Sequence, residues 1–309
     1  MEEAAFLASL RRFATDPAAR GLLDDVAVLE VGGATLVLTH DMLVEGVHFL
    51  PDDPPGDVAW KLLAVNLSDL AAKGARPIGV LLGFTLGDAE WDRAFVTGLK
   101  QALGAFGVPL LGGDTVAGPR VLGLTVIGEA AGPVPSRTGA RRGDRLWISG
   151  AIGEAGAGLR VLKGELADAP ALVERYRTPR PRLELGEALA PLVSAMMDVS
   201  DGLLIDAERM GAASGVSVTV ELDAVPLSDA FLAALGDDAE ARLAAATAGD
   251  DYELLFAAAP ERTQDLLGLA ERLAVPLTPV GAFSLGEGLR LTLSGEPFPL
   301  PKRLGWQHG

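Results

Sequence analysis

Short apolar segments that lead to an aspartate recur along the chain, and they constrain its fold more than any other feature. Residues 34–38 lead through Thr39 and His40 to Asp41, and Met196 and Met197 lead directly to Asp198. Short runs of apolar and β-branched residues are typical of buried strands. The pattern therefore predicts an α/β protein whose strands deliver carboxylates to the edge of a sheet.

Other acidic residues fit the same pattern less strongly. The Asp24-Asp25 pair precedes an alternating segment, Gly112-Gly113-Asp114 follows a short buried strand predicted at 108–111, and an acidic pair at 250–251 enters a strand at 252–258. Taken alone, each group has an ordinary explanation, such as a capped turn or a glycine turn. Convergence of the groups on one cleft would favour a functional explanation.

Composition excludes several classes of protein. The 309-residue chain is 49% hydrophobic and has a formal net charge of −16, so it can bury a large core but is a poor candidate for binding nucleic acid. It has no cysteine, which excludes thiolate zinc sites, iron–sulfur clusters and cysteine nucleophiles. The acidic N-terminus and the short apolar runs predict a cytoplasmic protein with no signal peptide and no membrane span.

Alternation of predicted helices and strands, with a break in composition at residue 132, predicts two domains, 1–131 and 132–309. One helix is predicted from Asp57, as N-cap, to Gly74, and Asn66, Asp69 and Lys73 share a polar stripe on it. From this segment alone, an Asp69–Lys73 ion pair and a metal-binding Asp69 are about equally well supported. Further helices are predicted at 2–14, 88–107, 203–214, 228–246 and 261–274, and further strands at 77–86, 120–130, 145–149, 216–222, 276–282 and 288–293.

Carboxylates brought together in one cleft repel one another and require cations. Mg²⁺ takes oxygen ligands and commonly lies between carboxylates and phosphates, whereas zinc and copper fit poorly because the chain has no cysteine and three histidines. Neither a GxxxxGK[ST] nor a GxSxG motif occurs. The residues therefore predict a site with several Mg²⁺ ions for phosphoryl transfer or ATP-dependent activation.

Six segments, in order, resemble the thiamine-monophosphate kinase family of the aminoimidazole-ribonucleotide-synthetase-like superfamily. They are LDDVAV at 23–28, DMLVEGVHF at 41–49, NLSDLAA at 66–72, GGDT at 112–115, DVSDGL at 198–203 and DYEL at 251–254. The resemblance implies a two-domain α/β (α+β) fold. It further implies a homodimer formed through the sheet of the N-terminal domain, a C-terminal α/β domain that completes the active site, and ATP in a cleft shared across the dimer.

The resemblance also implies the reaction, which is transfer of the ATP γ-phosphoryl group to thiamine monophosphate, with several Mg²⁺ ions and no general base. The acceptor phosphate is already ionised, so catalysis requires positioning and charge neutralisation. The implied metal ligands are Asp25, Thr39, His40, Asp41, Asp69, Asp114, Asp198 and Asp201. The implied ATP-binding residues are Gly113, Asp114, Arg137 and Ser200, and those for thiamine monophosphate are His48, Asp250 and Trp306.

Four positions depart from the family pattern: Leu23 replaces a usual glycine, His40 a serine or threonine, Lys73 a methionine, and Asp250 a glutamate. Two other functions remain open at this stage. One is another ATP-dependent enzyme of the superfamily, similar to the purine-pathway cyclo-ligases. The other is a catalytically silent module that senses nucleotide or magnesium.

Overall fold

Two mixed β-sheets organise the chain in the computed structural model, which describes residues 3–307. The first sheet contains β1 (Ala27–Val31), β2 (Ala34–Val44), β3 (Arg76–Leu86), β4 (Leu110–Ala117) and β5 (Val121–Ala130). Their order across the sheet is β1-β2-β5-β3-β4, and these neighbours are antiparallel except for β3 and β4. β4 therefore lies at an edge, and all of its residues are exposed.

The second sheet contains β6 (Arg145–Ser149), β7 (Ala195–Asp198), β8 (Ser217–Glu221), β9 (Leu254–Ala258), β10 (Leu277–Ser284), β11 (Leu289–Leu293) and β12 (Glu296–Phe298). Its order is β12-β11-β8-β10-β6-β9-β7, so β7 forms one edge. Asp198, the last residue of β7, is buried at this edge.

Ten α-helices connect and cover the sheets in the described part of the chain. They are α1 (Glu3–Arg11), α2 (Pro55–Ala71), α3 (Ala89–Phe106), α4 (Glu154–Leu162), α5 (Pro170–Arg177), α6 (Leu183–Leu189), α7 (Leu203–Ser214), α8 (Asp229–Leu235), α9 (Ala239–Thr247) and α10 (Thr263–Leu273). None of the helices within residues 3–307 combines the length and apolar character needed to cross a membrane.

Helix α2 lies between the two halves of the molecule. It packs on β2, β5 and α3 on one side and on α6 and β7 on the other. Residues 58–71 are buried except for the partly exposed Trp60, so even the polar side chains of this helix are inside the protein. At its C-terminal end a Cβ built on Gly186 of α6 would lie 1.8 Å from the Ala71 carbonyl oxygen, which shows how closely the two helices approach.

Most predicted elements are present, but four predictions about local structure are wrong. Helix α2 begins at Pro55 with Pro54 as N-cap, so Asp57 lies in its first turn and does not cap it. The helix predicted at 228–246 is two helices, because Asp238 caps a second helix with a hydrogen bond to the Ala241 backbone N–H.

The other two corrections concern β4 and α1. The buried strand predicted at 108–111 instead begins at Leu110, continues through Gly112 and Gly113 to Ala117 and is exposed, so the alternative of a glycine turn is also excluded. The first helix ends at Arg11, before the predicted residue 14, and the predicted start at residue 2 lies outside the described residues.

We expect Gly98→Ala in α3 to destabilise the protein by about 1–3 kcal/mol, because a Cβ there would lie 2.2 Å from the Gly56 Cα in α2 and overpacking has this cost. Gly104→Ala is the matched control on the same helix, since a Cβ there has no neighbour within 4 Å. The control should be stabilising by up to about 1 kcal/mol, the difference in helix propensity. Urea unfolding of the three proteins measures both values. Equal effects of the two substitutions would contradict the close crossing.

Candidate active site

Three aspartates that are far apart in the sequence come together as a carboxylate cluster. Asp25 precedes β1, Asp69 lies on α2 and Asp198 ends β7, and one carboxylate oxygen from each lies within 4.8 Å of the others. Asp69 and Asp198 are buried, and Asp25 is half-buried. The cluster therefore joins both sheets through the helix that lies between them.

Hydroxyl and amide groups orient the acids of this region. The Thr39 hydroxyl donates to Asp69 Oδ2 at 2.5 Å, and the Ser68 hydroxyl donates to Asp198 Oδ2 at 2.5 Å. The Asp41 backbone N–H donates to Asn66 Oδ1 at 2.9 Å, which fixes β2 against α2. The prediction that the strand ends at Asp41 is also wrong, because β2 continues to Val44 in its pairing with β5. The alternation of β2 directs Thr39 and Asp41 to the same face of the sheet.

Burial and mutual repulsion raise the pKa values of these acids. Burial, followed by the charges of Asp25 and Asp201, raises the pKa of Asp41 to about 6. Burial is also the largest cause of the raised pKa of Asp198, which is about 8. Burial and the neighbouring acids raise the pKa of Asp69 well above its ordinary value. Without a bound cation, these acids therefore carry less than their full negative charge near neutral pH.

The donor set of the carboxylate cluster suits a hard divalent cation. Asp25 Oδ2 is buried without a hydrogen-bond partner. Lys73 Nζ lies 3.5 Å from this oxygen, beyond good hydrogen-bond distance, so a coordinated cation would satisfy the oxygen better. Oxygen ligands from three carboxylates, with no sulfur or imidazole, match the preferences of Mg²⁺.

Basic side chains neutralise the Asp24-Asp25 pair from the opposite side. Lys73 Nζ lies 2.5 Å from Asp24 Oδ1 and 3.5 Å from Asp25 Oδ2, and Arg20 contacts Asp24 at 2.6 Å. Burial alone would raise the pKa of Asp24, but Lys73 and Arg20 hold it below its ordinary value. Of the two alternatives for Asp69, the ion pair with Lys73 is not formed, because Lys73 pairs with the acids before β1 and Asp69 accepts from Thr39. Arg137 forms an ion pair with Asp25.

The loop after β7 carries two more of the predicted residues, Ser200 and Asp201. The Asp206 carboxylate accepts from the backbone N–H groups of Asp201 and Gly202, and Arg209 Nη1 bridges Asp201 at 2.5 Å and Asp206 at 2.9 Å. Burial raises the pKa of Asp206 to about 7. These contacts hold Asp201 near the cluster, close enough for its charge to act on Asp41.

The three residues predicted to bind thiamine monophosphate are brought together next to this loop. We call His48, Asp250 and Trp306 the acceptor group. The rings of His48 and Trp306 are 5.8 Å apart between centroids, and the Trp306 backbone N–H donates to the Asp201 carbonyl at 2.9 Å. The Asp250 N–H donates to the Ser200 carbonyl at 2.8 Å. Residues 198–201 therefore connect the carboxylate cluster with the acceptor group.

Two predicted metal ligands are not brought to the cluster within one chain. The His40 ring points to the other face of β2, where Nδ1 lies 2.8 Å from Thr125 Oγ1, because neighbouring residues of a strand face opposite sides. Asp114 is exposed on β4. Across the sheet, Asp41 pairs with Leu124 of β5, Leu124 with Leu82 of β3, and Leu82 with Gly113 of β4. β2 and β4 are therefore three strand spacings apart, about 14 Å.

Gly113, which was predicted to contact ATP, precedes Asp114 on the same exposed strand. A Cβ at this position would lie 1.9 Å from the Leu82 carbonyl oxygen, so the close approach of β3 and β4 requires glycine here. The need for glycine at position 113 therefore comes from the packing of β4 against β3.

Several buried polar residues of the site were missed by sequence reasoning. Ser68 holds Asp198, Lys61 holds Asp250 at 2.7 Å, and the Tyr252 hydroxyl donates to Asp250 Oδ1 at 3.0 Å. One signal was available for Lys61, which is a single cation within the otherwise apolar run from Val58 to Val65.

The sequence matches the family described as AIR synthase related protein, N-terminal domain, over residues 23–130, and the corresponding C-terminal domain over residues 141–294. A thiamine-monophosphate kinase of Caulobacter vibrioides is 43% identical over 305 residues, which cover 95% of this chain and 86% of the relative. The chain belongs to the thiamine-monophosphate kinase family. Members of this kinase family are phosphotransferases, so the family and the enzyme class predicted from six ordered segments are confirmed.

Solved structures of the family have the same fold. The thiamine-monophosphate kinase of Stenotrophomonas maltophilia K279a is 37% identical, with a TM-score of 0.78 and coverage of 94% of this chain and 95% of that chain. The structure of AaThiL complexed with AMPPCP and TMP is 28% identical, with a TM-score of 0.86 and coverage of 100% and 97%. The predicted mixed α/β fold is thereby confirmed.

We expect the metal-free protein to lose stability as the pH rises from about 6 to about 8.5, through the raised pKa of Asp198 near 8. The folded state binds the proton more tightly than the unfolded state, whose pKa is near 3.8, so this stabilisation is complete only below that pH and decreases until Asp198 ionises in the folded state near pH 8. Added Mg²⁺ should restore the melting temperature at the higher pH.

Thermal unfolding in EDTA and in MgCl₂, at both pH values, measures this dependence. Asp198→Asn should flatten the pH dependence and reduce the response to Mg²⁺, whereas Asp168→Asn, at an exposed position, should behave as wild type. A pH dependence of equal slope in wild type and Asp198→Asn would contradict the assignment.

Proposed function

We propose that this chain is an ATP- and Mg²⁺-dependent kinase that converts thiamine monophosphate to thiamine diphosphate by direct in-line transfer. The observation that carries the proposal is the junction at residues 198–201, which joins the carboxylate cluster to the acceptor group. A site for metal-bound triphosphate beside a site for the acceptor is the arrangement that phosphoryl transfer requires. The relatives named as thiamine-monophosphate kinases, and AaThiL bound to AMPPCP and TMP, support the choice of substrates.

The reaction requires no proton transfer from the protein. An ionised oxygen of the thiamine monophosphate phosphate attacks the γ-phosphorus of ATP, and the bond from this phosphorus to the β,γ-bridging oxygen breaks, so that ADP leaves. We therefore assign no general base, in agreement with a cluster of acids that have no histidine among them. The contribution of the protein is to position the two phosphates and to hold the charges around them.

We propose Asp25, Thr39, Asp41, Asp69, Asp198 and Asp201 as the residues of one chain that would hold Mg²⁺. Bound Mg²⁺ would neutralise the phosphate oxygens of ATP and acceptor. The ring of His40 is left out of this set because it faces Thr125, so only its backbone is available. Arg137 and Ser200 flank the cluster and would face the nucleotide, and Arg137 would then exchange part of its contact with Asp25 for phosphate.

The acceptor group would hold thiamine monophosphate. Trp306 is 39% exposed and its ring lies beside the His48 ring, and an aromatic face at this place suits stacking of the cationic thiazolium. The Asp250 carboxylate supplies a second attraction for this cation. Since His48 and Asp41 are on adjoining segments of the chain, β2 and the loop after it contribute to both reactant sites.

We further propose that the chain consists of domains 1–131 and 132–309 and forms a homodimer through the first sheet. β4 is an exposed edge with Leu110, Leu111 and Val116 each about half exposed, and an apolar edge of this kind favours pairing with a second strand. Because Asp114 and Gly113 lie about 14 Å from β2 along the sheet, we propose that they complete the ATP and metal site of the partner chain.

The activity is tested by incubating the purified protein with ATP, MgCl₂ and thiamine monophosphate and by measuring thiamine diphosphate. Product should require all three components. Asp41→Asn should lower kcat by at least about 100-fold, the size of loss expected when one charge-stabilising group is removed. Asp168→Asn should leave kcat unchanged. ATP binding without product in the wild-type protein would contradict the kinase proposal and favour a silent sensing module.

Shared sites are tested by mixing two inactive variants. Asp41→Asn and Asp114→Asn chains, unfolded and refolded together, should form heterodimers in which one of the two sites has neither substitution. Random pairing then restores roughly a quarter of the wild-type activity, since half of the dimers are mixed and each mixed dimer has one intact site. Absence of any recovery, with dimers present by light scattering, would mean that Asp114 acts within its own chain.

A further inference from the structure

Lys61 is the most deeply buried cation near the acceptor group. It lies on α2 with 2% of its surface exposed. Its Nζ lies 2.7 Å from Asp250 Oδ2, 3.0 Å from the His48 carbonyl oxygen and 3.9 Å from the centroid of the Tyr176 ring. One ammonium group therefore connects two of the three residues of the acceptor group.

An ammonium group in this position needs all of these partners. Transfer of a charged lysine from water to the interior is costly unless anionic, hydrogen-bonding or aromatic groups compensate for the lost hydration. Lys61 has a carboxylate, a carbonyl oxygen and the face of a tyrosine ring. Because these partners come from three distant segments, the lysine fixes the position of each relative to α2.

The Asp250 carboxylate is held at both of its oxygens. Oδ2 accepts from Lys61, and Oδ1 accepts from the Tyr252 hydroxyl at 3.0 Å. The backbone here is also unusual, since Asp250 and Tyr252 have φ values of 69° and 51°, in the left-handed region that non-glycine residues rarely adopt. Such a conformation persists only where the surroundings enforce it. The side chain and the backbone of Asp250 are therefore fixed before any ligand binds.

We propose that Lys61 is a positioning residue for the acceptor, which holds the Asp250 carboxylate and the His48 loop in the arrangement that recognises thiamine monophosphate. The inference rests on the proposed function. Each carboxylate oxygen can accept two hydrogen bonds, and each has one protein donor here, so capacity remains for the acceptor. Tyr252 assists by holding the second oxygen. ATP, which would bind at the carboxylate cluster, does not depend on this arrangement.

The test is steady-state kinetics of Lys61→Met, an apolar replacement of similar length. The KM for thiamine monophosphate should rise by roughly 10- to 100-fold, the range given by loss of a charged hydrogen bond, with the KM for ATP within about 2-fold of wild type. Lys61→Arg should recover part of the acceptor affinity because it keeps the charge. Lys100→Met, at an exposed position of α3, is the matched control and should leave all constants unchanged.

Two more variants keep the inference testable if Lys61→Met is unstable. Tyr252→Phe removes only the donor to Asp250 Oδ1 and should raise the KM for thiamine monophosphate several-fold. Lys61→Met combined with Asp250→Asn leaves no unpaired buried charge, and its effect on the acceptor KM should be smaller than the product of the two single effects, because Lys61 acts in part through Asp250.

The outcomes separate the two proposals. If the wild-type protein makes thiamine diphosphate but a folded Lys61→Met or Tyr252→Phe variant keeps its acceptor KM, the role of Lys61 is overturned and the kinase function stands. A parallel loss of affinity for both substrates, in step with the melting temperature, would also overturn it, because that pattern reports general damage to the fold. If the wild type neither binds thiamine monophosphate in calorimetry nor makes product, both proposals fail.

Discussion

The interior of helix α2 is the constraint on which the rest of the structure depends. A helix buried between two sheets would normally be apolar throughout, yet Lys61, Asn66, Ser68 and Asp69 are all buried on it. Buried polar groups are stable only with partners, and the partners are within β2, at the end of β7 and in the loop before β9. Hydrogen bonds that stabilise α2 inside the protein therefore also place the carboxylates and the acceptor group.

The distribution of charge in the site follows from this burial. On one side, Lys73, Arg20 and Arg137 compensate the acids that precede β1. On the other, Asp69 and Asp198 face each other and Asp25 with only hydroxyl donors, so their pKa values rise. The chain thus provides fixed cations where the structure needs them and leaves an anionic surface where a mobile cation and phosphates would bind.

Local sequence patterns predict the elements of this fold well, and they predict contacts between distant elements poorly. Strand β7 with Asp198, and helix α3 with its Asp88 cap, are clear from the sequence because periodicity and capping are local properties. The sequence offered Asp69 as a partner for Lys73 because a neighbour four residues away on a helix is visible in the sequence, whereas the observed partner, Asp24, is brought close only by tertiary packing. For the same reason the exposure of β4 depends on its place at the sheet edge, which residues 108–117 do not encode.

The position of α2 also has a consequence for how the protein unfolds. Two sheets connected only by a linker could melt one at a time, with an intermediate between the transitions. Here one helix is part of the core of each half, and its polar side chains bond to both, so neither half can open without leaving buried groups unpaired in the other. The chain should therefore unfold as a single cooperative unit, in which loss of the site and loss of the sheets coincide.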